Sequence, residues 1–413
     1  MKQNRFLNAA EAARALGISK ATLYCYVSRG MIRSEPVSGQ PRVRIYANED
    51  VARLLERKDL RRNPSKAAER GLHWGSPVLE SALSLIRDGR LYYRGVDAVE
   101  LAQRASVEEV AALLWTGDRV HARNLFGKLQ ASSGIDFTGL FEKGQNLGPV
   151  ERCQLVLPRA ASQDAGAHDL RPMAVARTGV RILRLLASAI CGAPATRTAD
   201  AELAKAWSCR AAAIPSLRAA LILSADHELN VSAFTARCVA SSRATPYQVV
   251  MGALAAFRGR RHGGATHAAG DLFHEARGKR DLRALLAKWL QTYDAIPGFG
   301  HPLYPDGDPR AAVLLSLARA NAKGNALARA DRLIEAVQEM TGDHPNLDFG
   351  LAVLASSFDL PKESAVAMFA LGRTIGWIAH AIEQYANQEL IRPRARYIGP
   401  LPQNAAESTR ANA

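Results

Sequence analysis

Three short turns in the second half of the chain carry side chains suited to moving protons and holding anions. Arg261-His262-Gly263-Gly264-Ala265 and Pro297-Gly298-Phe299-Gly300-His301-Pro302 each set an imidazole beside glycines at a break next to a helical pattern. Small neighbours there allow unusual backbone angles and let the main chain approach a ligand closely. The second turn runs into Asp308-Pro309-Arg310, and Pro345-Asn346-Leu347-Asp348-Phe349 adds an acid. An imidazole donates or takes protons near neutral pH, a carboxylate acts as a base, and a guanidinium matches a carboxylate through two hydrogen bonds. A lone histidine beside glycines is more often a hydrogen-bonded structural residue. Two such turns, with an arginine nine positions past His301 and an acid at Asp348, support one another and point to a substrate site. Metal binding fits less well. His262 and His267 are five apart, off the i, i+4 spacing that brings two imidazoles to one helix face, and no cysteine lies nearby.

Positioning such groups falls to helices. From about residue 73 onward, apolar residues recur at helical spacing: Leu282, Leu285, Leu286, Trp289 and Leu290 mark one face, and Ile375, Ile378, Ala379 and Ile382 another over two turns. Pro246 starts a further helix with Val249, Ala253, Ala256 and Phe257 inward. Trp377 and His380, on an apolar helix, read as core. Sustained strand alternation is nearly absent, and Leu91-Tyr92-Tyr93-Arg94 after Asp88-Gly89 predicts one small hairpin. No internal repeat is evident. Residues 401–413 have little apolar content and read as a disordered tail.

Residues 6–60 form a separate pattern. Ala9, Ala12, Ala13 and Leu16 share one helix face, Gly17 ends that helix, and Ser19 caps a second with Leu23, Tyr26 and Val27 inward. A turn at Val37-Ser38-Gly39-Gln40-Pro41 leads into an alternating strand, with Val43 and Ile45 to one side and Arg42, Arg44 and Tyr46 to the other. Asn48 then caps a third helix through Val51, Leu54 and Leu55. Two short helices at a tight glycine turn, followed by a wing with a basic face, resemble the winged helix-turn-helix of the MerR and excisionase type. The resemblance implies DNA as a partner, with Lys20, Thr22 and Arg29 presented by the second helix and Arg42 and Arg44 on phosphates. The competing reading is a helical module for protein contacts whose arginines are ordinarily solvated. Residues 59–72, Pro-bearing and charged, read as a linker.

Composition sets the frame for both parts. The chain has 413 residues, 48% of them hydrophobic, enough for two or three domains with a sizeable core. Its formal charge of +15 is uneven: residues 1–70 hold 15 Lys and Arg against 7 Asp and Glu, the asymmetry of a polyanion contact. Cys25, Cys153, Cys191, Cys209 and Cys238 are odd in number and scattered, with no Cys-x-x-Cys, which predicts reduced core thiols. No run of about 18 apolar residues and no N-terminal apolar leader is present, so the expectation is a cytoplasmic protein without a membrane partner.

Taken together, the catalytic-type turns are similar to those of the citrate synthase family. Tyr92-Tyr93-Arg94-Gly95-Val96-Asp97 resembles that family's early Tyr-Arg-Gly-x-Asp element, and Asp226-His227-Glu228-Leu229-Asn230 its Asp/Glu-His-Glu-x-Asn segment. Gly372-Arg373-Thr374-Ile375-Gly376-Trp377-Ile378-Ala379-His380 and Arg392-Pro393-Arg394-Ala395-Arg396-Tyr397 resemble its last two, all in the family's order over about residues 75–400. The resemblance implies an all-α citrate synthase-like fold with large and small helical domains, preceded by the small winged helix-turn-helix domain. Expected bounds are 1–58 for that first domain, 59–72 for the linker and 73–400 for the synthase-like part, with a small subdomain at about 230–345.

The same resemblance implies condensation of acetyl-CoA or propionyl-CoA with oxaloacetate, giving citrate or 2-methylcitrate. The acyl methyl is a very weak acid, so a carboxylate removes its proton only where the enolate oxygen is stabilised at once. By resemblance Asp348 is that base, His262 the donor to the enolate, and His301 the group that polarises the ketone and protonates the alkoxide. Arg310, Arg373 and Arg392 match the carboxylate clamps, with His227 a further ligand. Arg392 rather than Arg394 holds the clamp position, and in the family it reaches in from the other subunit, implying a homodimer. No cofactor or metal is implied; the coenzyme A thioester is a substrate. Two departures stand out. Pro302 to Gly307 contains no basic residue where the family commonly places one near the coenzyme A phosphates, and Thr266-His267 stands where it usually has Asn-Glu. Arg258, Arg260 and Arg261 offer other phosphate contacts. The same residues would also catalyse citryl-CoA cleavage. A metabolite-sensing, DNA-binding transcription regulator built on this fold is the alternative function.

Overall fold

The computed structural model describes residues 6–28, 32–37, 40–48, 50–51, 79–127, 147–293, 295–321, 325–395 and 397–400. The proposed linker at 59–72, the tail at 401–413, Arg29, Leu54, Leu55 and the side chains of Cys25, Arg42 and Val43 lie outside the described residues. The chain divides into two compact units, one of residues 1–80 with 393–413 and one of residues 81–392.

In the first unit, β1 (Phe6–Asn8) leads into α1 (Ala9–Leu16) and α2 (Lys20–Ser28), followed by β2 (Ser34–Val37) and β3 (Gln40–Ala47). Asn8 opens α1 with a reciprocal cap: its side chain accepts from the Glu11 N–H while Glu11 accepts from the Asn8 N–H at 2.8 Å. Ser19 Oγ accepts from the Thr22 N–H at 3.1 Å and so caps α2. The three strands pair antiparallel in the order β1-β3-β2. Ala12, Leu16, Leu23, Ile32, Tyr46 and Val51 form the small core. Here the strand reading needs correction. Tyr46, assigned outward with Arg44, is 2% exposed, while Ile45 is only half-buried. The central strand carries the two helices on the face that alternation alone assigned to solvent. Arg44 is exposed, and its guanidinium donates to Ser34 Oγ at 3.0 Å and to the Ser34 carbonyl at 2.9 Å. Arg33 grips the buried Asp50 through Nε at 2.9 Å.

The second unit opens with a meander rather than a single hairpin: β4 (Ser84–Arg87), β5 (Arg90–Tyr93) and β6 (Val96–Asp97). Tyr93, fully buried, donates its hydroxyl to the Ile222 carbonyl at 3.0 Å. Among the described residues the remaining long elements are helices: α3 (Ala98–Arg104), α4 (Val107–Thr116), α5 (Ala122–Phe126), α6 (Pro149–Gln163), α7 (Pro172–Cys191), α8 (Ala199–Ala206) and α9 (Ile214–Leu223). Then follow α10 (Val231–Ser241), α11 (Pro246–Phe257), α12 (Gly263–Glu275), α13 (Leu282–Thr292), α14 (Pro309–Asn321), α15 (Ala326–Thr341), α16 (Leu347–Ser357) and α17 (Ser364–Asn387).

Helix α17 is the centre of this unit. It packs against α4, α7, α9, α10, α11, α12 and α16. By length and a mean hydropathy of 1.4 it would pass for a membrane span, but that apolar stretch is wholly buried inside the protein. A helix apolar on every side is what the middle of a large core requires. Trp377 at its midpoint is 0% exposed, and truncating such a residue costs about 3–5 kcal/mol. Four cysteines are described as free thiols: Cys153 is buried and Cys191, Cys209 and Cys238 are half-buried.

Candidate active site

Backbone hydrogen bonds tie the second histidine turn to the acidic turn. The Gly300 N–H donates to the His344 carbonyl at 2.8 Å, the Asn346 N–H to the Gly298 carbonyl at 2.9 Å, and Asn346 Nδ2 to the Gly300 carbonyl at 3.1 Å. Gly298 and Gly300 hold φ of +88° and +72°, which a residue with a Cβ adopts only under strain. Asn346 also caps α16, accepting the Asp348 N–H at 3.0 Å, so Asp348 sits at the second position of a helix fixed to the His301 turn. Local glycine chemistry thus sets residues almost fifty apart beside each other.

Asp308 joins the two sides from below. Its oxygens take Arg310 Nε at 2.9 Å and Nη2 at 2.7 Å, and Oδ2 also accepts the Leu347 N–H at 3.0 Å. Asp308 and Arg310 are each 3% exposed. Burial alone would make the Arg310 cation less stable, but the paired Asp308 carboxylate reverses this and raises its pKa further. Arg373, 1% exposed, makes no ion pair with a carboxylate among the described residues, although Asp226 and Asp348 act on it from a distance. Its Nε donates to the Ser224 carbonyl at 2.7 Å and its guanidinium lies 4.9 Å from the Phe369 ring. Burial therefore lowers its pKa to about 10, still cationic at neutral pH.

His227, His301 and Tyr304 stand against these cations. The rings of His227 and His301 are 5.0 Å apart, His227 Nε2 and the Tyr304 hydroxyl are 3.0 Å apart, and the Arg310 guanidinium lies 5.4 Å from the Tyr304 ring. Nδ1 of His301 accepts the Leu303 N–H at 3.1 Å, so the neutral ring carries its proton on Nε2. Burial, then Arg310, lowers the His301 pKa to about 4. Burial, then Arg310 and Arg373, holds His227 well below its ordinary value.

His262 occupies the N-cap of α12, edge-on to Phe257 and Phe369 at 5.0 and 5.6 Å. Burial, then Arg373, lowers its pKa to about 3. Its Nε2 is 2.7 Å from Ser232 Oγ, which also receives the Trp377 indole N–H at 3.0 Å. The Ser232 hydroxyl has one proton and two acceptors in reach, Asn230 Oδ1 at 2.8 Å and His262 Nε2; donation to Nε2 leaves the ring proton on Nδ1, and that nitrogen is then a neutral donor. All three imidazoles are thus neutral at pH 7 and able to donate without carrying charge.

Asp348 is an acid whose affinity for protons is shifted toward neutrality. Burial pushes its pKa up to about 6, against the opposing pull of a hydrogen bond from Thr266 Oγ1 at 2.5 Å and of Arg310. A carboxylate in that range is a stronger base than usual and still mostly ionised at pH 7. Arg310 and Arg373 both act on Asp348 and on His227, and His262 and His301 act on His227 too, so their fields overlap in one place. The assembly suits a small dianion beside a weak carbon acid.

The structure brings His227, His262, His301, Arg310, Asp348 and Arg373 into this network. Arg392 lies beyond the end of α17, exposed, and among the described residues it makes no hydrogen bond or ion pair. Lys20 and Arg44 are exposed in the first unit and Thr22 is half-buried, its hydroxyl 2.9 Å from Ser19 Oγ. Four participants escaped the sequence reading: Tyr304, Ser232, Thr266 as the partner of Asp348, and Trp377 as more than core. His380 likewise is fully buried yet bonds Asp226 through Nε2 at 3.1 Å. Ser232 was signalled only by lying two residues past Asn230, whose side chain it shares at 2.8 Å.

Comparison with known proteins bears on the family and the fold. Residues 71–394 match the family profile described as "Citrate synthase, C-terminal domain". The chain is 31% identical over 372 residues to the 2-methylcitrate synthase of Shewanella oneidensis, covering 79% of this chain and 94% of that protein. It is 28% identical over 359 residues to citrate synthase 2 of Bacillus subtilis, covering 81% and 96%. Among solved structures, the citrate synthase of Thermoplasma acidophilum in ternary complex with carboxymethyl coenzyme A and oxaloacetate matches with a TM-score of 0.68 and 26% identity, over 81% of this chain and 97% of that one. Citrate synthase from Thermotoga maritima matches with a TM-score of 0.66 and 25% identity, over 79% and 95%.

Proposed function

The chain belongs to the citrate synthase family and is a citrate synthase-type enzyme, and from that premise we propose that it condenses acetyl-CoA or propionyl-CoA with oxaloacetate at the site described above. Asp348 takes a proton from the α-carbon of the thioester, and the electron pair moves onto the carbonyl oxygen. His262 donates a hydrogen bond to that oxygen, so the enolate is stabilised where charge develops. The α-carbon attacks the ketone carbon of oxaloacetate, a carbon–carbon bond forms, and His301 Nε2–H supplies the proton to the alkoxide. Water then cleaves the thioester to release coenzyme A and the tricarboxylate. Arg310, Arg373 and His227 hold the dicarboxylate, and Arg392 comes from the partner subunit of a homodimer. A reaction of this class needs no resident cofactor; the thioester is a co-substrate. The observation that carries the proposal is the gathering of Asp348, two buried guanidiniums and three imidazoles at one place, with burial raising the proton affinity of the acid. Thiol release on mixing either thioester with oxaloacetate tests it, and its absence while oxaloacetate still binds rejects it.

We further propose that the domain boundaries are those read from sequence and that the first unit binds DNA. What supports this is a pair of short helices joined at Gly17, a three-stranded antiparallel sheet, and exposed Lys20 and Arg44 in the most basic part of the chain. Lys20, Thr22 and Arg29 would face base edges, and Arg42 and Arg44 the phosphates. A gel shift with promoter DNA, with and without oxaloacetate or coenzyme A, separates a plain enzyme from a metabolite-responsive regulator. Absent or salt-insensitive binding rejects the DNA-binding role.

A further inference from the structure

We infer that Thr266 is a positioning residue for the base: its hydroxyl holds Oδ1 of Asp348 and thereby presents Oδ2 to the acyl donor. The inference rests on the reading of Asp348 as the base. Thr266 is 0% exposed, and its Oγ1 is 2.5 Å from Asp348 Oδ1. Among the described residues, Oδ2 of Asp348 has no hydrogen-bond partner. One oxygen is therefore anchored and the other is left for chemistry.

The anchoring is geometrically economical. Thr266 lies one helical turn past His262, so the start of α12 carries both the donor for the enolate oxygen and the brace for the base. Helices α12 and α16 pack against each other, which carries the brace across the interface between them. A β-branched side chain has few χ1 choices in a helix, and a helical threonine often turns its hydroxyl to a carbonyl one turn back. Here the hydroxyl reaches Asp348 instead. A hydroxyl can donate to a carboxylate whether that carboxylate is ionised or has just taken a proton on its other oxygen. The bond favours the ionised form more strongly, so it offsets part of the burial that lifts the Asp348 pKa. The departure from the family's usual Asn-Glu at Thr266-His267 is therefore a change in how the base is held.

The test compares full-length Thr266→Val, Thr266→Ser and Asp348→Asn in thiol-release assays from pH 5 to 9, with thermal melting alongside. Removing the hydroxyl is expected to move the acid limb of kcat upward by about one pH unit and to lower kcat at pH 8 about tenfold. The KM for oxaloacetate should stay within about twofold, since the guanidiniums are untouched. Thr266→Ser, which restores the donor, should return the limb to its wild-type position. A merely structural threonine would leave that limb in place. If Thr266→Val fails to fold, Thr266→Ala removes the same hydroxyl. An unmoved limb and an unchanged kcat in the hydroxyl-less variant, with Asp348→Asn inactive, overturns this inference alone. Turnover by Asp348→Asn overturns the reading of the base and this inference with it.

Discussion

The two basic regions of this protein keep their positive charge in opposite ways. In the first unit Lys20 and Arg44 stand in solvent over a core of a few residues. In the second, Arg310 and Arg373 are 3% and 1% exposed, inside a bundle built around one long helix. Exposed cations are screened by salt and recognise a polyanion by displacing its counterions. Buried cations are barely screened, cost free energy to sequester, and are held by fixed neighbours. That arrangement suits a small dianion bound in one geometry. The two proposed roles, polyelectrolyte contact and substrate recognition, thus differ in burial rather than in charge count.

The buried pair itself divides, and that gives the largest expected effects. Arg310→Leu strands the buried Asp308 carboxylate, so it should cost about 3–5 kcal/mol of stability and reduce kcat/KM by more than about a thousandfold. Arg373→Met removes a cation that burial disfavours and that has no ion pair among the described residues, so it should lose activity on a similar scale while losing less stability than Arg310→Leu. Thermal melts and oxaloacetate titrations separate the two; equal destabilisation would break the contrast.

Salt sharpens the comparison between units. If the first unit contacts about six phosphates, DNA affinity should fall about a thousandfold between 50 and 200 mM salt. The KM for oxaloacetate should change by less than about threefold over that range, because the guanidiniums proposed to bind it lie out of solvent. A matching salt slope for both would erase the distinction.

The next effect concerns pH. As the proposed base Asp348 has to be ionised, and burial raises its pKa to about 6, so activity should be half-maximal near that value and near full about one unit above it. Below it, kcat should fall about tenfold per pH unit. With pKa values of about 3 and 4, His262 and His301 stay neutral through this window and add no second step. A flat profile down to pH 5 would contradict the assignment. Smallest is a subunit effect. If Arg392 serves the partner's site, a statistical mixture of inactive Arg392→Ala and Asp348→Asn chains should regain about a quarter of wild-type activity, since a mixed dimer contains one intact site.

Much of this was readable beforehand, because the relevant signals are local. The helical unit follows from apolar spacing such as Leu282 to Leu290, and the histidine turns announce themselves through flanking glycines. What local pattern could not give was pairing at a distance. Ser232 meets His262 thirty residues on, Tyr304 meets His227 across 77, and Thr266 meets Asp348 across 82. Each of those polar side chains looks ordinary in its own segment. Tyr46 failed for a related reason: alternation fixes that Arg44 and Tyr46 share a face of β3 but not which face the helices cover. The third strand, Val96–Asp97, is only two residues long, below what periodicity can register.

Everything here depends on Asp348 acting as a base, and one paired measurement reaches that directly: thiol release and oxaloacetate binding by Asp348→Asn beside the wild type at pH 8. Wild-type turnover reduced at least about a thousandfold in the variant, with oxaloacetate affinity within about threefold, is the expected result. Turnover within about tenfold of wild type would contradict it and would send the search for the base to another residue of the site.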